Sequence, residues 1–318
     1  MIQPSATSSR KVGIVGVGMV GASFAYALMQ RSLATEIVLV DLDRERAEGE
    51  AMDLNHGLPF VRPLTIRAGD YADLAGAAVV VLTAGASQRP GQTRLDLLEN
   101  NVKICREIIP QIVAHNPDGH IVIASNPVDV LTHIANEIAG LPWGRVLGSG
   151  TILDTARFRH LLGSYYGVDA RSVHANIIGE HGDSAVPVWS GANIGGVPLR
   201  AFRTAAGRGW DQAAMDQIFE QTRGAAYEII KRKHATYYAI GLGLLTVVEA
   251  ILRDQRTVLT VSTPMRGIYG VHDIALSLPT VVGRGGALDV LPLALDDVEQ
   301  AGFAQSGQVL CERLANIR

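Results

Sequence analysis

Cysteine is scarce in this chain: only Cys105 and Cys311 occur in 318 residues. Two thiols cannot build a disulfide framework or a thiolate metal cluster, so no metal is expected. Both fall in apolar helical patterns, which reads as two buried, reduced thiols in a cytoplasmic protein. Aromatic residues make up 5%, no long basic run occurs, and the formal net charge is −3. The electrostatic footprint of nucleic-acid binding is therefore missing. Apolar runs of bilayer length are missing too: the longest helical one, Ala239–Leu252, contains Glu249, which argues against a membrane span. The opening MIQPSATSSR has no apolar centre. Residues 1–10 are expected to form a short disordered tail rather than a secretory signal.

What is present is a globular composition, 47% apolar and 19% charged, in a chain long enough for a large core and two domains. Short, β-branched, almost continuously apolar runs recur through the first half: Lys11–Val17, Glu36–Asp41, Ala77–Gly85, His120–Asn126 and Arg145–Gly150. Such runs suit strands covered on both faces. Helical patterns lie between them; Leu98, Val102, Cys105, Ile109 and Ile112 share one helical face. The alternation predicts a Rossmann-type, doubly wound parallel sheet over residues 11–149. After Gly150 the rhythm changes and predicts an α+β substrate domain over 150–318. It holds a helix at Ile152–Tyr166, strands near Val173–Ile178 and Pro187–Ser190, and helices at Asp211–Lys231 and Thr236–Leu252. A β-rich stretch, Thr257–Leu291, and a final helix, Asp296–Ile317, complete it.

The motif GVGMVG sets Gly16, Gly18 and Gly21 at G-x-G-x-x-G spacing, directly after an apolar strand and at the start of a helix. In that context the first glycine allows the tight turn and the second lets a pyrophosphate approach the backbone. The third lets helix and strand pack closely, while the helix N-terminus favours phosphate charge. The second strand ends in Asp41. A carboxylate there accepts hydrogen bonds from an adenine-ribose diol and repels a 2′-phosphate, which selects NAD over NADP.

Two further segments carry candidate chemistry. His181 sits in IIGEHGDSAVPVW between Gly179 and Gly182, glycines that would let a ligand approach. LDTARFR opens a helix with Asp154 and Arg157 at i and i+3, on one face. Asp154 could orient the imidazole and favour its protonated form, so that His181 passes a proton. Arg157 offers a planar fork for two-point binding of a carboxylate. On these residues alone, a helix-surface ion pair beside an unrelated histidine is an equal alternative. The loop TAGASQRPGQTRLDLL, Thr83–Leu98, places Gln88, Arg89 and Arg94 after a buried strand. It reads as a solvated turn, a phosphate clamp or a substrate lid.

Together, GVGMVG, EAMDLNHG, TAGASQRPGQTRLDLL, SNPVDVLT, GSGTILDTARFR and GEHGDSAVPVWS resemble the bacterial L-lactate dehydrogenases of the lactate/malate dehydrogenase superfamily. The resemblance runs from about Lys11 to the C-terminal helix. It implies that His181 exchanges a proton with the substrate oxygen, that Asp154 pairs with it, and that Arg157 binds the substrate carboxylate. Arg94 would close over the substrate and polarise its carbonyl. Asn126 would sit between nicotinamide and substrate, with Thr236 and Gln88 at the substrate's methyl end. Cofactor contacts are implied at Gly16, Gly18, Val20, Gly21, Asp41, Arg46, Tyr71, Gly85, Ala86, Ala124 and Asn126.

Successive side chains of an extended loop point to opposite sides, so only one of Gln88 and Arg89 can face the substrate. Gln88 inward favours pyruvate; Arg89 inward would favour oxaloacetate. The resemblance aligns Gln88 inward and implies a tetramer converting pyruvate and L-lactate. An L-malate dehydrogenase, or a silent NAD-binding or structural protein on the same fold, stands as the alternative. Loops of this family commonly read P-G-E-[ST]-R, whereas Pro90 and Gly91 here precede neutral Gln92. Activation by fructose 1,6-bisphosphate in such enzymes implies an allosteric site at Arg159 and His174.

Overall fold

The computed structural model describes residues 10–86 and 94–317. Gln88, Arg89 and Gln92 lie outside them. The first half runs β1 (Lys11–Val15), α1 (Met19–Arg31), β2 (Glu36–Val40), α2 (Arg44–His56), β3 (Thr65–Ala68), β4 (Val79–Leu82), α3 (Arg94–His115), β5 (His120–Ile123), α4 (Val128–Ala139) and β6 (Val146–Gly148). These six strands pair in parallel in the order β3-β2-β1-β4-β5-β6, the doubly wound arrangement the alternation implied.

The apolar strands are buried on both faces, and their alternate residues serve different cores. Val80, Leu82, Ile121 and Ile123 pack with Val102, Ile109 and Ile112 of α3. Val79, Val81 and Val122 face the other way, against Phe24 and Leu28 of α1. This two-residue period on doubly covered strands is why the runs show no polar alternation. β3 was not anticipated, because TIRA holds a single fully buried residue, Ile66. As an edge strand it depends on main-chain pairing with β2 and on ion pairs of Arg67 with Glu36 and Asp73. Cys105 is buried, and burial pushes its thiol up to about 12, whereas Cys311 is only partly buried.

The second half contains α5 (Ile152–Tyr166), β7 (Val173–Ile178), β8 (Val186–Ile194), β9 (Val197–Pro198), α6 (Gln212–Lys233), α7 (Tyr238–Arg253), β10 (Thr257–Arg266), β11 (His272–Gly283), β12 (Gly286–Val290) and α8 (Asp297–Ala315). β8 is longer than its apolar run because Ser190 and Gly191 occupy positions open to solvent. β7, β8 and β9 form a separate antiparallel sheet. It packs with Phe158, Leu162, Met215 and Ile218 of α5 and α6.

β10, β11 and β12 instead extend the first sheet to nine strands, joined through Ser262 opposite Gly148. α7 likewise covers the first half's sheet, with Leu244, Val247, Val248 and Ile251 in the core that holds Phe24. Its Glu249 is buried but paired with Arg31 and Arg253. Among the described residues no helix is long and apolar enough to cross a membrane.

Candidate active site

Loops following β1, β4 and β5 leave the same carboxyl edge of the sheet. Chain order reverses between β1 and β4, the position at which such sheets bind ligands. A cavity of about 690 Å³ opens there, lined by Gly16, Gly18, Asp41, Arg46, Tyr71, Gly85 and Ala86 among others. The three motif glycines are required for different reasons. Gly16 has φ +92°, and a Cβ on it would lie 2.3 Å from the Ala84 nitrogen. A Cβ on Gly21 would lie 2.1 Å from the Gly16 carbonyl oxygen. On Gly18 it would meet nothing within 4 Å, so the space beside this backbone is left for something other than protein. Asp41 accepts the Val17 N–H at 2.7 Å on Oδ2 and the Asp43 N–H at 3.0 Å on Oδ1. These bonds fix the carboxylate at the mouth and leave each oxygen further acceptor capacity. Open glycine backbone at a helix N-terminus and a fixed carboxylate fit a dinucleotide with a free ribose diol. Val20, Gly21 and Ala124, also expected to contact the cofactor, do not line this cavity.

A second cavity, of about 500 Å³, holds the candidate chemistry. Asn126, Asp154, Arg157 and His181 all line it, although 27 residues separate Asp154 from His181. Asp154 lies in the first turn of α5, where its carboxylate bridges two cations. Oδ1 accepts from Arg157 Nη1 at 3.1 Å, and Oδ2 meets His181 Nδ1 at 2.5 Å. The side chains of Asp154 and Arg157 are 10% and 14% exposed and that of His181 25%, so the ring alone opens appreciably to the cavity. With Nδ1 committed to Asp154, Nε2 is the nitrogen available to a ligand. The negative charge of Asp154 raises the imidazole to about 9 against the opposing effect of burial. Burial disfavours the charge on Asp154 itself, but His181 and Arg157 outweigh it and hold the carboxyl below its usual range. His181 is therefore a protonated acid at neutral pH.

Gly179 does not serve the purpose read from the sequence, whereas Gly182 borders the cavity. A Cβ on Gly179 (φ +84°) would lie 2.8 Å from Ser306 Oγ of α8, and one on Gly182 would lie 2.6 Å from Glu180 Oε1. Both glycines make room for the protein's own groups, and Gly182 also lines the cavity. Glu180 is buried, donates its N–H to Ser306 Oγ at 2.7 Å, and ion-pairs with Arg313 of α8. The C-terminal helix thus clamps the segment that carries His181.

Arg94 is the first residue of α3, one turn before the cavity-lining Leu97 and Leu98. Gln88 falls in the part outside the described residues. Thr236 lies in the link between α6 and α7, because α7 begins at Tyr238 rather than at Thr236, and it is not among the residues lining the cavity. Arg159 donates to the Ala175 carbonyl at 2.8 Å and to Asn176 Oδ1 at 3.0 Å, which ties it to the strand segment following exposed His174.

Contributors from three helices escaped the sequence reading. Asn101 of α3 accepts the Ala86 N–H and donates to the Asn126 carbonyl, at 2.7 and 2.8 Å, tying the two loops together. Asp129 of α4 accepts the His181 N–H at 2.7 Å. Phe219, Arg223, Ala226, Tyr227 and Ile230 of α6 form the cavity's far wall. Their helical spacing is visible in the sequence, but an apolar stripe of that kind reads equally as core. The exposure of Tyr227 and Ile230, 52% and 45%, shows that this one faces the cavity.

Comparison with known proteins agrees with this geometry. Residues 10–148 match the family model of the lactate/malate dehydrogenase NAD binding domain, and residues 151–318 that of the alpha/beta C-terminal domain. The chain is 50% identical over 303 residues to an L-lactate dehydrogenase of Priestia megaterium, covering 95% of both chains. It is 53% identical over 309 residues to one of Salinibacter ruber, covering 97% of this chain and 98% of the relative. The crystal structure of the minor L-lactate dehydrogenase of Enterococcus mundtii superposes with a TM-score of 0.94 at 43% identity, covering 98% of this chain and 99% of that one. The chain belongs to the lactate/malate dehydrogenase family, with an N-terminal NAD-binding domain.

Proposed function

We propose that this protein is an NAD-dependent L-lactate dehydrogenase, with residues 11–149 binding the cofactor and 150–318 carrying substrate and catalysis. The observation that carries the reading is the Asp154 carboxylate shared between Arg157 and His181 on the wall of one cavity. A binding or structural protein has no use for a histidine held protonated beside an arginine fork. The names of the relatives at about half identity support the same activity.

In this reading Arg157 holds the carboxylate of pyruvate through two hydrogen bonds. Protonated His181 donates from Nε2 to the keto oxygen, and Asp154 stays ionised and steadies the charged ring. Bound NADH supplies the hydride that reaches the keto carbon. A positioned acid of this kind contributes roughly 10²–10⁴ in rate. Arg94 supplies positive charge to the developing alkoxide, worth roughly another 10²–10³ by analogy with an oxyanion donor. Asn126, Thr236 and Gln88 complete the pocket, Gln88 as a neutral wall suited to a methyl group.

Substrate choice is tested by following NADH absorbance with each keto acid. Loss with pyruvate and little with oxaloacetate is expected. The reverse order would make the enzyme a malate dehydrogenase, and no loss with either would leave only a binding protein. Assembly as a cytoplasmic homotetramer belongs to the same proposal, as does activation by fructose 1,6-bisphosphate. The tie of Arg159 to the strand segment following His174 supports the activation, since both residues can meet phosphate oxygens. At pH 6 the sugar bisphosphate should lower the apparent KM for pyruvate; saturation curves that superimpose with and without it would refute the activation.

A further inference from the structure

Behind His181 lies a second carboxylate outside both chemical motifs. Asp129 stands in the first turn of α4 and is 2% exposed. Its Oδ2 accepts the main-chain N–H of His181 at 2.7 Å. Its Oδ1 and two nearby hydroxyls, Thr132 Oγ1 on α4 and Ser262 Oγ on β10, make no hydrogen bond of good geometry among the described residues, although Ser262 stands close enough to Asp129 to ease its charge. α4, β6 and β10 meet here. A Cβ on Gly148 of β6 would lie 2.2 Å from Thr132 Oγ1 and 3.0 Å from Ser262 Cβ. A carboxylate this buried and this short of donors is expensive to keep charged unless a cation compensates it.

The cation that faces it is His181. From α5, Asp154 and Arg157 also act on that ring. Glu180, beside it, carries like charge to Asp129 but is paired with Arg313 of α8. His133 and Glu137, farther along α4, pair with each other. β10 presents the neutral Ser262 to Asp129.

We propose that Asp129 is a positioning residue for the proton step: it fixes the main chain of His181 from behind and, as the second carboxylate near the ring, helps keep that ring protonated. The proposal rests on His181 as the proton carrier. Burial raises the Asp129 carboxyl to about 6, with only partial relief from Ser262 and the His181 N–H. Below that pH the carboxyl is neutral and its attraction for the ring is gone; above it the attraction is present.

The discriminating variant is Asp129→Asn, which keeps an oxygen for the His181 N–H but removes the charge. With saturating NADH, the alkaline limb of kcat/KM for pyruvate should move down by about half to one pH unit. Thermal stability should stay near wild type. Asp129→Ala removes the oxygen as well and should also lower kcat, by about tenfold. A residue that only supports the fold would leave the pH profile in place, so superimposable profiles for wild type and Asp129→Asn overturn the proposal.

Should Asp129→Asn not fold, the wild-type holoenzyme decides. With ¹⁵N-histidine labelling, the His181 ring resonance should show a small inflection near pH 6 as Asp129 takes up its proton, and a flat response there overturns the proposal. This readout needs no substrate. A wild type that fails to reduce pyruvate would sink the proposed function without answering for Asp129, and the ring titration still would.

Discussion

Asp154→Asn is expected to lower pyruvate turnover by about ten thousandfold at pH 7.5, the order seen when a carboxylate orienting a catalytic histidine is made neutral. NADH affinity should stay within about twofold of wild type, because Asp154 lines the second cavity and not the one formed by Gly16, Gly18 and Asp41. The cause is electrostatic. His181 is held at about 9, against an ordinary value of 6.5, chiefly by the charge of Asp154. Without that charge, burial and the positive charge of Arg157 outweigh the weaker pull of Asp129 and favour the neutral ring. The ring then has no proton to give at pH 7.5. Turnover within about twofold of wild type would sink the pairing.

The same shifts set a stability window. The folded value of His181 is raised, so its stabilisation is complete below about pH 6.5 and disappears as pH rises through about 9. The folded value of Asp154 is lowered, so its stabilisation is present above its ordinary value of 3.8 and is lost as pH falls through the depressed one. The melting temperature of wild type should therefore exceed that of Asp154→Asn most between about pH 4 and 6.5. The gap should narrow toward pH 10, and a gap that widened instead would contradict the assigned direction.

The second large effect separates two glycines of one motif. Gly16→Ala forces a side chain into left-handed backbone and within 2.3 Å of the Ala84 main chain. Ala84 cannot yield cheaply, since it is held by its N–H to the Val15 carbonyl at 2.9 Å. Strain of this kind costs about 1–3 kcal/mol before the clash is added. Gly16→Ala should melt several degrees below wild type, and the displaced loop should weaken NADH binding by about a hundredfold or more.

Gly18→Ala meets no protein atom within 4 Å. It should melt at the wild-type temperature in the absence of cofactor, yet still bind NADH at least about tenfold more weakly, because the added methyl occupies space meant for the pyrophosphate. Calorimetric melting and NADH fluorescence titration on the two variants distinguish the cases. A Gly18→Ala protein with unaltered NADH affinity would show that the cofactor does not approach this backbone.

These contrasts mark where the sequence was sufficient. The doubly wound sheet, the glycine turn with Asp41, and the Asp154–Arg157 pair were all legible, as was helix α5 to its end residues. Each depends on near neighbours: a two-residue or 3.6-residue period, a cap, or an i, i+3 spacing repeated in every copy of the local structure. The edge strand β3 escaped because its stability comes from main-chain pairing with β2 and from ion pairs, neither of which leaves an apolar period.

What joins distant segments was decided by tertiary packing alone. Nothing local brings His181 to Asp154 across 27 residues, sets Asp129 beneath it from 52 residues away, or clamps Glu180 to Ser306 across 126. Gly179 looked like an opening for a ligand until Ser306 of α8 was seen to fill that space. β10 to β12 and α7 complete the first half's sheet although they come from the second half of the chain. The physical reason is the same in each case. Local periodicity says which face of an element is buried, while the partner on that face is chosen by shape, charge and the closing of long loops, and these act only once the chain has folded.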